Sequence, residues 1–353
     1  MQYIVDNTCI YFSWGNTDEL TLMMDAIEKK EINKLIIFGP QEHTIIRFDD
    51  SPVDAKMFDA YMKSKNINVI RVVGMAPSKK WNPNYRLSYD KKTYGWDTYF
   101  AHATVLESFN SNRSPLGHTN IKKSFISLNR RAHPHRCEFI DILHKHKLQE
   151  HGIITWHKFE TYEYYYKFKH WDPVILKIDE PCDIEKNHQL FVPPLQFQET
   201  LFSVICESTS DLIFLTEKTY VPIIHKRPFL LVGAKNIHGY LKKLKFKLFD
   251  EIIDYSFDSV DDQTERYNMI MIELAKICNH DPNDLLKILK PKIDYNYVNL
   301  LNIFKNSIGA DPEVVKIVNQ YSGPMELYKD LLNYGKTPNF EKFYNKMIQG
   351  ITL

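Results

Sequence analysis

What most constrains this chain is the order in which short apolar runs alternate with segments whose apolar side chains recur every three or four positions. Thr17 to Lys30 opens with Thr-Asp-Glu and spaces Leu20, Met23, Met24 and Ile27 along one face, which predicts a capped amphipathic helix. Lys34 to Gly39 is an apolar run stopped by Gly-Pro and predicts a buried strand. Ser51 to Lys65 reads as a helix again and Asn68 to Gly74 as another strand. Strands separated by helices of this length predict a parallel α/β layer. The aromatic stretch from Trp81 to Phe100 is too irregular for an assignment.

A second block begins near Lys123. Ser124–Leu128 predicts a strand, Arg136–Lys147 a helix, and Ile153–Trp156 the next strand. Phe159–Asp172, aromatic and charged, reads as a hairpin or an excursion towards an acceptor. After Pro193-Pro194, Leu201–Cys206 reads as a strand, Glu217–His225 as a helix, Pro228–Gly233 as a strand and Ile237–Lys245 as a short basic helix. From about Asp262 onward the pattern is helical. The expected organisation is two α/β domains, residues 1–120 and 121–260, with a helical region over 261–353.

Composition removes several function classes. Lys+Arg is 45 against Asp+Glu 44, a net charge of +1, which argues against a chain whose main task is gripping nucleic acid. Neither a dinucleotide-binding nor a P-loop glycine fingerprint occurs. Cys9, Cys137, Cys182, Cys206 and Cys278 are scattered and include no Cys-x-x-Cys pair, so neither a zinc ribbon nor a disulfide framework is expected. The N-terminus does not read as a signal peptide, and no apolar run reaches the ~20 residues of a membrane span. A soluble, cytoplasmic chain is the expectation.

Two segments place polar groups directly after an apolar strand, where open α/β sheets bind ligands. In Ser127–Arg136, three arginines and two histidines gather at a strand-to-helix turn. Arginine forks and a helix N-terminus both suit phosphate oxygens, although a solvated basic turn is the alternative. In Cys206–Lys218, Thr216 suits a helix N-cap, and Glu217 is favourable in the first turn. Lys218 is mildly unfavourable there unless it meets an anion.

Together these segments resemble the nucleotide-sugar glycosyltransferases related to the α-1,3-fucosyltransferases. The likeness rests on Phe125-Ile-Ser-Leu-Asn129 followed by Arg136, then Phe202–Ser208, Leu215-Thr-Glu-Lys218 and Arg227–Gly233, over about residues 123 to 255. Leu128 separates Ser127 from Asn129, and Ser208 stands where the family has Asn, so sugar and nucleotide stay open. The resemblance implies two Rossmann-like domains facing a cleft (GT-B type) and an inverting transfer from a nucleoside-diphosphate sugar to a hydroxyl of a saccharide acceptor. It implies Arg136 and Lys218 on the diphosphate, Glu217 on the ribose, and Glu207 near the donor sugar, with Asn129, Arg130 and Thr216 completing the donor motifs.

An inverting displacement needs a base for the acceptor proton, and this architecture draws it from the N-terminal half. Glu42 and His43, after the Lys34–Gly39 strand, are the first candidates, and Asp97 and His102 the second. No metal or other cofactor is expected. Asp-x-Asp does not occur, Asp49-Asp50 and Asp261-Asp262 are adjacent pairs, and His133, His135, His144, His146 and His151 read as a solvent-facing basic helix. Tyr162, Tyr164, Tyr165, Tyr166 and Trp171 suit either sugar stacking or strand packing. Two alternatives stand beside this reading. One is a hydroxylated base in DNA as acceptor, for which the basic stretch Lys122–Lys147 is the only support. The other is a non-catalytic nucleotide- or carbohydrate-binding protein of the same fold.

Overall fold

The structure is a computed structural model that describes residues 2–12, 17–39, 47–48, 51–52, 55–74, 93–112, 114–130, 132–156, 166–176, 193–321 and 323–351. It is a mixed α/β chain with parallel sheets and a helical C-terminal region. By its contacts the chain forms two compact units, which do not follow the 1–120, 121–260 and 261–353 division. The first holds Met1–His102 and Ile303–Thr337, the second Ala103–Asn302 and Pro338–Leu353. The helical region is therefore not a body of its own. Its apolar faces are shared between the cores of the two units.

In the first unit, β1 (Gln2–Val5) and β2 (Thr8–Phe12) form an antiparallel hairpin. Its turn, Asp6-Asn7, has both residues at positive φ (48° and 57°), as a tight two-residue hairpin turn requires. α1 (Thr17–Glu28), β3 (Lys34–Gly39), α2 (Ala55–Ser64), β6 (Asn68–Val73) and β7 (Thr93–Gly95) follow, and β4 (Arg47–Phe48) pairs β5 (Ser51–Pro52) separately. The main sheet runs β1-β2-β3-β6-β7, parallel from β2 onward. α2 is shorter than the 51–65 expected, because Ser51 and Pro52 are in a strand pairing and the helix starts beyond the proline. Met23, Ile27, Leu35, Ile37, Phe58 and Met62 share one core. These are the inward positions of the two helices and the central strand. The β3 expectation therefore holds residue by residue, whereas α1 ends at Glu28, two residues short of the Lys30 expected.

α3 (Tyr99–Asn110) leads into the second unit. There, β8 (Lys123–Asn129), α4 (Pro134–Lys145), β9 (Gly152–Trp156), β10 (Thr200–Cys206), α5 (Glu217–Ile224), β11 (Phe229–Val232) and α6 (Ile237–Lys243) form the second block. Tyr166–Asp172 of the expected hairpin carries no strand, and residues 157–165 lie outside the described residues. The sheet is wholly parallel in the order β11-β10-β8-β9. β8 sends its connection to β9 on one side, whereas β10 and β11 lie on the other. The strand order therefore reverses between β8 and β10, the place where doubly wound sheets open a crevice at their carboxyl ends.

The helices α7 (Gln263–Cys278), α8 (Pro282–Lys305), α9 (Pro312–Gln320), α10 (Glu326–Asn333) and α11 (Pro338–Ile348) complete the chain. α4 packs against α7, which explains why α4 is buried over most of its length and not the solvent-facing basic helix expected. Among the described residues no helix is long and apolar enough to cross a membrane, and no disulfide joins Cys9, Cys137, Cys206 and Cys278.

Candidate functional site

The reversal point gathers most of the expected donor residues. Asn129 ends β8, Glu207 follows β10, and the first turns of α4 and α5 bring Arg136 and Thr216–Lys218. α4 begins at Pro134, whose missing N–H costs nothing at a first helical position. That places His135 and Arg136 in its first turn. Both are buried, and both donate to the main-chain oxygen of Glu207, His135 through Nε2 at 2.9 Å and Arg136 through Nη2 at 3.1 Å. One carbonyl thus ties the start of α4 to the end of β10.

The Glu207 carboxylate faces the opposite way and is wholly buried. It accepts from Thr216 N (3.0 Å), Thr216 Oγ1 (2.6 Å), Ser208 N (3.2 Å) and the Thr219 hydroxyl. The structure therefore gives this carboxylate to the loop and to α5, not to an open pocket. Thr216 is the α5 N-cap, as expected, and accepts from Lys218 N at 3.4 Å. Lys218 Nζ lies 2.7 Å from Glu217 Oε1, 3.2 Å from Ser208 Oγ and 3.3 Å from Thr216 Oγ1. The two residues assigned to ribose and phosphate are thus paired with each other, with Lys218 the more exposed.

Asn129 is buried. Its amide Nδ2 donates to Ser127 Oγ (3.1 Å) and more weakly to Ser127 O (3.4 Å), and its main-chain N–H donates to Thr155 Oγ1 (2.9 Å). Arg130 is exposed. Arg131 lies outside the described residues, as do Glu42, His43, Asp49, Asp50, Tyr162, Tyr164 and Tyr165.

The sequence reads His135 as one of the two histidines of the basic strand-to-helix turn and as part of a basic helix, without a role of its own. Burial first, then the neighbouring Arg136 charge, push its pKa down to about 3, so the ring is neutral at any physiological pH. The signal for it in the sequence is its place directly after Ala-His-Pro at a strand-to-helix turn.

Asp97 lies in the first unit, just past the carboxyl end of β7. Burial lifts its carboxyl to about 6, against smaller opposing hydrogen bonds from its own and the Thr98 backbone N–H. His102 is different. Its Nδ1 donates to Thr98 O at 2.8 Å, and its fully buried ring packs edge-on against Trp96 and Phe304. Burial holds it neutral, near a pKa of 4. A ring sealed in this way touches no acceptor, which removes His102 from the candidate bases.

The remaining candidates have structural partners. Trp171 stacks on His144 at 4.7 Å, and Tyr166 donates to Asp141 at 3.4 Å, so both pack inward. Of the basic stretch, Lys122 pairs with Glu199, Lys123 donates to Glu150 O, and Lys145 donates to Asn268. Asp261 holds Lys235, and Asp262 caps α7. Among the described residues no three His, Cys, Asp or Glu side chains converge as metal ligands would. A cavity of about 610 Å³ beside Lys242, Asp250 and Tyr255 includes none of the residues at the reversal point.

No family model matches the chain, and no curated protein matches its sequence. Among solved structures, a crystal structure of an α1,3-fucosyltransferase is similar, with 13% sequence identity over 81% of this chain and 89% of that one, at a TM-score of 0.28. A likeness that slight assigns no role to any residue.

Proposed function

We propose that the chain is an inverting glycosyltransferase that moves a sugar from a nucleoside diphosphate to a hydroxyl of a saccharide acceptor. The observation that carries the reading is the pairing of Arg136 and Lys218 at the strand-order reversal, each at a helix start and each fastened to the Glu207 loop. Two fixed positive groups at two helix N-termini suit a diphosphate, whose negative charge grows as the sugar departs. Donors already in place lower that barrier without further reorganisation.

Lys218, the more exposed member of its pair with Glu217, offers its ammonium to the diphosphate from that position. The reaction also needs a base for the acceptor proton, and Asp97, whose carboxyl burial lifts to about 6, has the titration that such a base requires. A single displacement of this kind needs no covalent intermediate.

The test is a thermal-shift panel of GDP, UDP, CDP, dTDP and ADP on wild type, Arg136→Ala and Lys218→Ala. A ligand at about 100 times its dissociation constant adds roughly 2.7 kcal/mol. One nucleotide that stabilises the wild type and neither variant supports the reading. Absence of a shift with all five would remove it.

A further inference from the structure

His135 lies near both cations of the proposed site, Arg136 and Lys218, yet it cannot serve as a third. A carbonyl oxygen only accepts, so the 2.9 Å contact to Glu207 O places the ring proton on Nε2 and leaves a lone pair on Nδ1. No other hydrogen bond reaches the ring among the described residues, and its face lies parallel to His133 at 5.8 Å. Arg136 and Lys218 both lie close enough to oppose its protonation. A neutral ring with its only proton already donated repels phosphate oxygen. It suits a ligand group that donates.

Asn129 shows the same polarity. Its Nδ2 is committed to Ser127, so the amide oxygen faces the other way, and Oδ1 is buried without a partner among the described residues. A buried acceptor with no donor is costly. The end of β8 and the start of α4 thus each carry an acceptor to which no described donor is bonded, Asn129 Oδ1 and His135 Nδ1. In a nucleotide sugar the donors that adjoin the diphosphate are hydroxyls, those of the ribose on one side and of the sugar on the other.

We infer that His135 Nδ1 is the acceptor for a ligand hydroxyl adjoining the diphosphate, with Asn129 Oδ1 as its companion; the inference rests on the donor-site reading above. It moves hydroxyl recognition from Glu217, which is paired with Lys218, to a neutral pair at the end of β8 and the start of α4.

The test separates the two nitrogens. His135→Gln can keep an N–H on Glu207 O but places no acceptor at the δ position. His135→Asn places its oxygen where Nδ1 was and gives up the Glu207 bond. Calorimetric titration of the full chain uses pyrophosphate, the four ribonucleoside diphosphates with their 2′-deoxy and 3′-deoxy forms, and UDP-glucose, GDP-mannose and GDP-fucose against the plain diphosphates. Wild type should lose about tenfold in affinity on removal of the recognised hydroxyl. A ribose hydroxyl appears in the deoxy arm, a sugar hydroxyl in the sugar arm. His135→Gln should bring that ratio to about one with pyrophosphate binding unchanged, and His135→Asn should restore it at lower stability. A Gln variant that keeps the wild-type ratio, or a wild type indifferent in both arms, overturns the His135 assignment alone. A wild type that binds neither pyrophosphate nor any nucleotide overturns the donor site with it.

Discussion

Thr216 Oγ1 stands 2.6 Å from Glu207 Oε2, and the backbone N–H of the same threonine donates to Oε1 at 3.0 Å. One carboxylate therefore holds both halves of the residue that caps α5, while the main chain of that glutamate holds the start of α4. Glu207→Gln replaces one of the two acceptor oxygens by an NH2 donor, which cannot accept from the backbone N–H that faced that oxygen. We expect a loss of about 3 kcal/mol, read as a lower denaturant midpoint. Retention of wild-type stability would show that the carboxylate is not what holds the loop.

Glu217 and Lys218 give opposite expectations. If Lys218 meets the diphosphate, Lys218→Ala should weaken pyrophosphate binding about tenfold or more, the scale of one charge-assisted hydrogen bond. Glu217→Gln removes the carboxylate that competes for the same ammonium. It should therefore leave pyrophosphate affinity equal or higher. A parallel fall in both variants would mean that the pair acts only as a helix start.

The parallel layers were legible because their strands are apolar runs with a period and a stop. Lys34–Gly39 is one, and its bounds agree with the structure to the residue. The β1–β2 hairpin carried a signal too, since Asp6-Asn7 between the β-prone runs Tyr3-Ile-Val5 and Thr8-Cys-Ile-Tyr-Phe12 is a turn sequence. The shared helical region was not legible, because an amphipathic stripe such as that of α9 says that a face is buried but not against which core. At the site, motif order named the residues and left their partners open. The carboxylate of Glu207 is satisfied by Thr216 and Thr219, nine and twelve positions on, across a loop whose course no periodicity encodes. The neutrality of His135 is likewise a product of burial, which in α4 depends on α7, more than a hundred residues later.

Asp97 ties activity to stability. As a base it must be ionised, so turnover should rise with pH through about 6, and Asp97→Asn should lose about 10²–10⁴-fold with the fold retained. The linkage runs the other way. A carboxyl raised in the fold contributes stability below its ordinary value of 3.8, and that contribution is lost as pH rises through about 6. Asp97→Asn should thus be more heat-stable than wild type at pH 8 and not at pH 4. A variant less stable at both would remove the base assignment's physical ground.

Gly309 backs that carboxyl. It lies at φ +87°, and a β-carbon there would come within 2.4 Å of Thr98 Cγ2 and 2.8 Å of Asp97 Oδ1. Gly309→Ala combines a left-handed strain with overpacking and should cost about 3 kcal/mol. It should also displace Asp97, so the pH midpoint of turnover moves while that of a distant variant such as Lys287→Ala does not.

The acid limb of stability should come in part from Asp258. His238 Nε2 accepts the Leu231 N–H at 3.2 Å, so its proton is on Nδ1 and is donated to Asp258 Oδ1 at 2.9 Å, while Gly239 N donates to Oδ2 at 2.9 Å. Burial opposes ionisation of Asp258, and the His238 contacts with the α6 backbone N–H groups outweigh it, holding the carboxyl below its ordinary value. A depressed carboxyl contributes stability above its ordinary value of 3.8 and loses it as pH falls through the lower folded value. Asp258→Asn should therefore be clearly less stable than wild type at pH 7. The gap should narrow once the pH drops below 3.8. Urea titrations at pH 7, 4 and 2.5 measure it, and a gap constant across the three would assign the loss to packing rather than to charge.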